Sequence, residues 1–439
     1  MAQFIFDSFR SDWDQGVLDF TYSIKRDLEE FRFTERIKLP ARPLVSYNPG
    51  TLKSVLEAVH IVLGVSYWKL FCPEELVLSN MTLSPAQAAY WKTVYTKGLG
   101  EFFYQNSIDF KELLTFPAVE QELKTPAPSQ EYKKLLVGVG GGKDSAVSVE
   151  LLKQHNVAIE GFVLQTQKPY PIVDAMLQVS EIPSLACTRI VDPALFTLNK
   201  RDDVLNGHVP ISAVYAWLGI LSAVLYGFDG FITSNERSAN VGNIEYLGTE
   251  INHQWSKSRE FELITQEYLK NFVSPSLQYV SLLRPLSEYS IVERFVTYPN
   301  YFHVFSSCNR NFSLTHIPDH KWCGSCPKCA FVFAVLGAHI SRDVLLDIFG
   351  ANMFDNHDLV MTYRALLGLE GMKPFECVGT PDEVKLAFFE IHKKGEFEDT
   401  PMMKMFVSEV LPHEDFDQIR REVTRIDEDI LPSQFSEML

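Results

Sequence analysis

Leu135-Leu136-Val137-Gly138-Val139-Gly140-Gly141-Gly142-Lys143-Asp144-Ser145 reads as one buried strand, a tight turn and the start of a helix. The apolar run meets three consecutive glycines, and Ala146, Val149, Leu151 and Leu152 then follow at helical spacing. Glycines let a backbone take positive φ and bring its N–H groups close to a ligand with no Cβ in the way. A helix start aims its unpaired N–H groups and positive dipole end at the same spot, which suits a phosphate. Lys143 adds a point charge, Asp144 is a candidate magnesium ligand, and Ser145 can cap the helix or donate to an oxygen.

Two commoner phosphate motifs are excluded. Walker A needs Lys followed directly by Ser or Thr, and Asp144 intervenes. The dinucleotide fingerprint needs a third glycine where Lys143 stands. A glycine-rich turn with no ligand would account for the glycines but not for the Lys-Asp-Ser that follows. The loop resembles the Ser-Gly-Gly-x-Asp-Ser loop of the PP-loop ATP pyrophosphatases, with Gly140 in place of the first Ser. Members of that superfamily bind ATP, release pyrophosphate and leave AMP on a substrate, so Gly140, Gly141, Gly142, Lys143, Asp144 and Ser145 become the expected ATP site.

Downstream, short β-rich runs at 134–139, 161–165, 188–191, 230–234, 278–283 and 301–305 alternate with helical ones. That order predicts an α/β fold with a mainly parallel, Rossmann-like sheet covered on both faces. Ligands of such sheets lie off the carboxyl ends of the strands. Three polar loops are expected to join the glycine loop there. One runs from 199–203 into Asn206-Gly207-His208; a second carries Asn235, Glu236, Arg237 and Asn240; a third carries His253 and Lys257.

Residues 1–125 read as an N-terminal α+β module. Leu18, Phe20, Tyr22 and Ile24 alternate with polar residues, and Phe31, Phe33 and Ile37 continue the pattern beyond a charged break, predicting a hairpin. Helices are expected near 52–67 and 85–103, whose aromatics suit packing better than base stacking. A Pro-containing linker at 124–130 precedes the ATP-binding domain at 132–345, and 346–439 reads as a helical, acidic region.

With 439 residues and ordinary apolar and charged fractions, the chain is long enough for two or three domains. A net charge of −16 argues against coating nucleic acid, which works by releasing counterions through many Lys and Arg. No charged, then apolar, leader opens the sequence, so a cytoplasmic protein is expected. The uncharged stretch 209–228 approaches the length of a membrane span, but Pro210, Ser212, Gly219 and Ser222 interrupt it, and a buried core helix is expected instead. Oligomeric state is left open.

Four of the seven cysteines cluster as Cys308 and Cys323-x2-Cys326-x2-Cys329. Four thiolates at such spacing can close a tetrahedron around zinc. Buried thiols without metal, an iron–sulfur cluster and a redox pair at Cys323 and Cys326 are the alternatives, and His303, His316 and His320 lie near enough in sequence to substitute.

The 7-cyano-7-deazaguanine synthases pair a PP-loop with a similar cysteine order, but they are much shorter. Over nearly its whole length the chain resembles the UDP-N-acetyl-α-D-muramoyl-L-alanyl-L-glutamate epimerase (MurL) family. The resemblance rests on the Gly-Gly-Gly-Lys-Asp-Ser loop, Asn206-Gly-His-Val-Pro210, Asn252-His-Gln-Trp-Ser-Lys-Ser258, Trp322-Cys-Gly-Ser-Cys-Pro-Lys-Cys329 and Lys373-Pro-Phe-Glu-Cys-Val-Gly379. It implies ATP- and magnesium-dependent inversion of the terminal L-Glu of UDP-MurNAc-L-Ala-L-Glu to D-Glu in peptidoglycan precursor synthesis. AMP and pyrophosphate would be formed, a structural zinc is expected, and neither nucleic acid nor membrane is a partner. Inversion requires proton removal from one face of Cα and return to the other, for which His208, His253, Lys257, Glu376 and Cys377 are the candidates. An amide-forming ligase that captures the same acyl-adenylate with ammonia or an amine is the alternative enzyme; a sulfur-transferring tRNA modifier fits the charge poorly.

Overall fold

A computed structural model describes residues 2–439 apart from 42–43, 46, 121–125, 127, 129–130, 132, 167, 169, 313–320, 371 and 428–429. Of the expected linker only Pro126 and Pro128 are described, and His316 and His320 lie outside the described residues.

The alternating N-terminal residues form long strands: β1 (Gln3–Asp12), β2 (Val17–Arg26) and β3 (Glu29–Lys38), with β2 and β3 making the hairpin. The remaining strands are β4 (Glu75–Leu78), β5 (Leu135–Gly138), β6 (Ile159–Gln165), β7 (Ser184–Ile190), β8 (Gly230–Thr233), β9 (Ile244–Tyr246), β10 (Thr249–Ile251) and β11 (Gln278–Ser281). Nine of the eleven build one sheet in the order β11-β8-β5-β6-β7-β3-β2-β1-β4, and β9 pairs with β10 apart from it. Strands β11, β8, β5, β6 and β7 are mutually parallel.

An antiparallel register of Arg36 to Lys38 on Thr188 to Ile190 fuses the N-terminal strands to this parallel half. A buried ion pair reinforces the seam: Arg189 Nε donates to Glu35 Oε1 at 2.5 Å and Nη2 to Ser66 Oγ at 3.0 Å.

Helices cover both faces: α1 (Pro49–Trp68), α2 (Pro85–Gly98), α3 (Gly100–Gln105), α4 (Lys143–Gln154), α5 (Pro171–Ser180), α6 (Pro193–Leu198), α7 (Ile211–Tyr226), α8 (Arg259–Tyr268), α9 (Glu288–Phe295) and α10 (Pro327–His339). Period-two alternation divides the core. Leu136, Phe162, Phe231 and Tyr279 face α1 and α7, whereas Val137, Val163, Ile232 and Val280 face α4, α9 and α10. Thirteen of the sixteen residues of α7 are buried, which makes the uncharged stretch a core helix. Among the described residues no helix is long and apolar enough to cross a membrane. Beyond α10 the chain is helical, and its apolar faces extend the second core through Leu386, Phe388 and Phe406.

One expected strand does not form. Residues 302–305 continue as turn and irregular chain from a 3-10 turn, Pro299–Tyr301, which opens at Pro299 with its fixed φ. Its aromatics enter the core instead: Phe305 packs at 4.6 Å on Phe295 and 5.2 Å on Trp322.

Candidate active site

The glycine loop joins β5 to α4 at the carboxyl end of the sheet. The chain leaves β5 for β6 on one side and returns as β8 on the other, so the crevice between β5 and β8 is the switch point where α/β sheets take ligands. Gly142 is the N-cap of α4 with no side-chain cap, which leaves first-turn N–H groups to a ligand, while Ser145 Oγ donates back to Gly142 O at 2.9 Å. Gly141 has φ +82°, and a Cβ there would lie 2.6 Å from Ile172 Cγ2. Only glycine fits both constraints.

A cavity of about 250 Å³ opens over this loop, lined by Gly140, Gly142, Asp144 and Ser145, by Ser234, Asn235 and Glu236 after β8, and by Ser307, Lys257, Lys328 and Cys377. Among the described residues, three buried polar atoms on its wall lack a partner: Ser234 Oγ, Glu236 Oε1 and Ser307 Oγ. Orphaned donors and acceptors aimed at one space are expected of a ligand site. Two larger cavities do not meet the loop. One lies over the outer face of β1 to β3, and the other sits by Lys134, Asp229 and Gln278, at the amino ends of the parallel strands.

Beneath the cavity lies an ionic cluster. Lys143, fully buried, pairs with Asp144 and Glu288, and Lys328 Nζ lies 3.3 Å from the second oxygen of Glu288. Burial pushes the Glu288 carboxyl up, but Lys143 and Lys328 outweigh it and hold the group below the usual carboxylate range. Burial likewise opposes the charge on Lys143, and Asp144 and Glu288 reverse it. The Lys143 ammonium is therefore spent on these carboxylates, and Lys257 and Lys328 are the cations on the cavity wall. Arg284, itself buried, fixes two of the lining segments by donating to the carbonyls of Glu236 at 2.7 Å and Lys257 at 2.5 Å. Burial raises the Glu236 carboxyl.

A second polar group adjoins Cys377. His253 lies beside Cys377, and its Nδ1 meets Glu101 Oε2, which is 3.4 Å from His208 Nδ1. Lys69 Nζ holds the His208 segment through Asn206 Oδ1 at 3.2 Å and Gly207 O at 2.6 Å. Burial, with His253 beside it, lowers His208 to about 4, so it is neutral at ordinary pH. Glu101, His208 and His253 bring donor atoms within 4.8 Å of one another.

Cys308, Cys323, Cys326 and Cys329 place their sulfurs within 4.8 Å of one another, with Cys323 and Cys329 3.7 Å apart. Zn–S bonds of about 2.3 Å in a tetrahedron give sulfur edges of about 3.8 Å, so the set is compatible with zinc. Cys326 is also the N-cap of α10, accepting from Cys329 N–H at 3.4 Å. His303, 67% exposed at its side chain, pairs with Asp347 instead.

Other expected site residues lie elsewhere. Arg237 donates to the carbonyls of Glu422, Val423 and Arg425 and anchors the C-terminal region; Asn240 is exposed and accepts from Arg259 N–H at 2.7 Å. Arg201 and Asp203 pair with Glu29 and Arg26 at the β2–β3 turn. Glu376, by contrast, adjoins the cavity: it accepts from Asn309, which lines it, and burial raises its carboxyl.

The MurL N-terminal domain family matches residues 1–282 and the MurL C-terminal domain family residues 304–420. The chain belongs to the MurL family. Three relatives carry the name UDP-N-acetyl-alpha-D-muramoyl-L-alanyl-L-glutamate epimerase. That of Xanthomonas oryzae pv. oryzae is 35% identical over 92% of this chain and 89% of its own; that of Salinispora tropica, 36% over 93% and 89%. That of a Micromonospora species is 37% identical over 93% and 91%. No solved structure matches. As a MurL family member the chain is an enzyme, an epimerase. Both family segments build the cavity: the first brings the glycine loop, Glu236 and Lys257, the second Ser307, Lys328 and Cys377.

Glu101, Lys328, Glu288 and Arg284 were not singled out from sequence. Glu101 had a signal, a lone carboxylate beside buried Phe102 and Phe103, and Lys328 sits between two cysteines of metal spacing.

Proposed function

We propose that the enzyme uses ATP to invert the α-carbon of the terminal L-Glu of UDP-MurNAc-L-Ala-L-Glu, through an acyl-adenylate, during peptidoglycan precursor synthesis in the cytoplasm. The observation that carries this is the cavity over the glycine loop, walled by orphaned Ser234, Glu236 and Ser307 atoms and by two ammonium groups, in a chain of an epimerase family. The loop is read as a PP-loop. Its N–H groups, Lys257 and Lys328 suit the phosphates of ATP, with Asp144 as the magnesium ligand and Asn235 and Ser145 as further donors. Magnesium would neutralise charge on the departing pyrophosphate. The four cysteines would hold a structural zinc at the head of α10, next to Lys328.

The chemistry explains why an epimerase would consume ATP. Removing an α-proton beside an ionised carboxylate places a second negative charge next to the first. Esterifying that carboxylate to AMP removes its charge and turns the carbonyl into an electron sink, so a modest base suffices. Cationic and polar groups in a site of low dielectric then stabilise the enolate oxygen. Hydrolysis releases the inverted product and AMP. The test is incubation with ATP, magnesium and the UDP-linked dipeptide in deuterated water. AMP, pyrophosphate and D-Glu deuterated at Cα are expected. AMP that appears only with added ammonia, with glutamate still L and undeuterated, would overturn the proposal in favour of an amide-forming ligase.

A further inference from the structure

Cys377 stands on the cavity wall with Lys257 and Lys328, half-buried, and among the described residues that line this cavity it is the one thiol. Its placement is over-determined. Asn243 accepts from His253 N–H at 2.9 Å through Oδ1 and donates to Pro374 O at 2.8 Å through Nδ2. Gln254 Nε2 donates to Val378 O at 3.2 Å. Two segments more than a hundred residues apart are thereby clamped side by side, with the His253 ring beside Cys377 and its Nδ1 on the Glu101 carboxylate.

We infer that Cys377 is the acid/base group on one face of the substrate α-carbon, with His253 and Glu101 as positioning residues that hold its sulfur and orient the imidazole. This rests on the preceding reading that the substrate is activated in this cavity. Electrostatics support the geometry. Burial pushes the Cys377 thiol up, but Lys257, His253 and Lys328 outweigh it and bring the thiol down to about 7. Burial pushes His253 down, and Cys377 and Glu101 together lift it to about 9. Lys373 is also within electrostatic reach of the thiol, and Lys257 is shared with the carboxylates of Glu236, Asp144 and Glu288. A thiolate is thus populated at neutral pH.

In the step itself the thiolate takes the α-proton: the S–H bond forms, the Cα–H bond breaks, and its electron pair moves into the activated carbonyl to give the enolate. A separate donor on the opposite face returns a proton to Cα, and the new thiol later loses its own to solvent. When the reaction runs backward the same thiol is the donor.

Three measurements test this. In Cys377→Ala, inversion in both directions is expected to fall at least about 100-fold, the scale of a lost general acid/base, while substrate-dependent AMP formation persists. In deuterated water this variant exchanges the α-proton of only one of the two epimers, the one whose Cα–H faces the remaining group. Independently of ATP, alkylation of Cys377 by iodoacetamide, mapped by mass spectrometry against pH, should have its midpoint near 7 in the native enzyme, shifting in Glu101→Gln toward the free-thiol value of about 8.5. Inversion by Cys377→Ala within about tenfold of native, or an unshifted midpoint in Glu101→Gln, overturns the inference. Absence of AMP with the native enzyme would refute the activation reading instead, and the thiol titration would still report on the cluster.

Discussion

Replacing Glu288 by Gln tests the ionic cluster beneath the cavity. The substitution keeps the volume and removes one charge from a place where Lys143 and Glu288 are 0% and 1% exposed and Lys328 6%. Two ammonium groups then remain with Asp144 as their near carboxylate, and that side chain is a quarter exposed. Removing one partner of a buried pair costs about 3–5 kcal/mol; the retained amide oxygen places the expectation near about 3 kcal/mol. At roughly 2.1 cal/mol/K per residue, a chain of 439 residues unfolds with an entropy of about 0.9 kcal/mol/K, so Tm should drop by about 3 °C.

The pH dependence carries a sign. Because the folded Glu288 carboxyl is held below its unfolded value, its contribution is complete above the unfolded pKa of about 4.3 and is lost as pH falls toward the folded value. Lys143 is shifted upward, so its contribution is complete below about 10.4 and is lost only as pH rises beyond that. The gap between native and variant should therefore be flat from about pH 6 to 9 and narrow by about 1 kcal/mol at pH 3.5. Thermal melts followed by circular dichroism at fixed scan rate supply the measurement. A gap under about 1 °C at pH 7, or one that widens on acidification, would refute a buried, paired Glu288.

Cys329→Ser, or prolonged chelation, should release about one zinc per chain and free the first turn of α10, carrying Lys328 away from Glu288. Elemental analysis together with a lowered Tm checks this; full stability without metal would count against a structural zinc. Gly141→Ala places a Cβ 2.6 Å from Ile172 at φ +82°. A left-handed backbone alone costs about 1–2 kcal/mol for a residue with Cβ, so calorimetric ATP affinity should fall by about tenfold or more, and an unchanged affinity would mean the loop does not cradle phosphate.

The glycine loop was legible because everything it needs is local: an apolar strand, glycines where a Cβ would clash, and a helix start follow one another within eleven residues. The cysteine set was legible for the same reason. Non-local pairing was not. Nothing in Arg36 to Lys38 names Thr188 to Ile190 as a partner, so alternation predicted the hairpin but not the seam that merges its strands with the parallel sheet. The expectation at 301–305 followed β-rich composition, whereas Pro299, with its φ fixed, opens a 3-10 turn that takes in Tyr301. The pairing of charges was likewise not legible. Lys143 carries the loop's only positive charge in sequence, yet Glu288, 145 residues on, pairs with its ammonium and with that of Lys328, and Lys257 and Lys328 are the cations that line the cavity. Likewise His253 was a candidate by composition, but what gives it a direction is Glu101, 152 residues away. A pattern within one segment can nominate a titratable side chain; the carboxylate that settles its protonation arrives from another part of the chain, so the chemistry of this site resides in pairings that only folding creates.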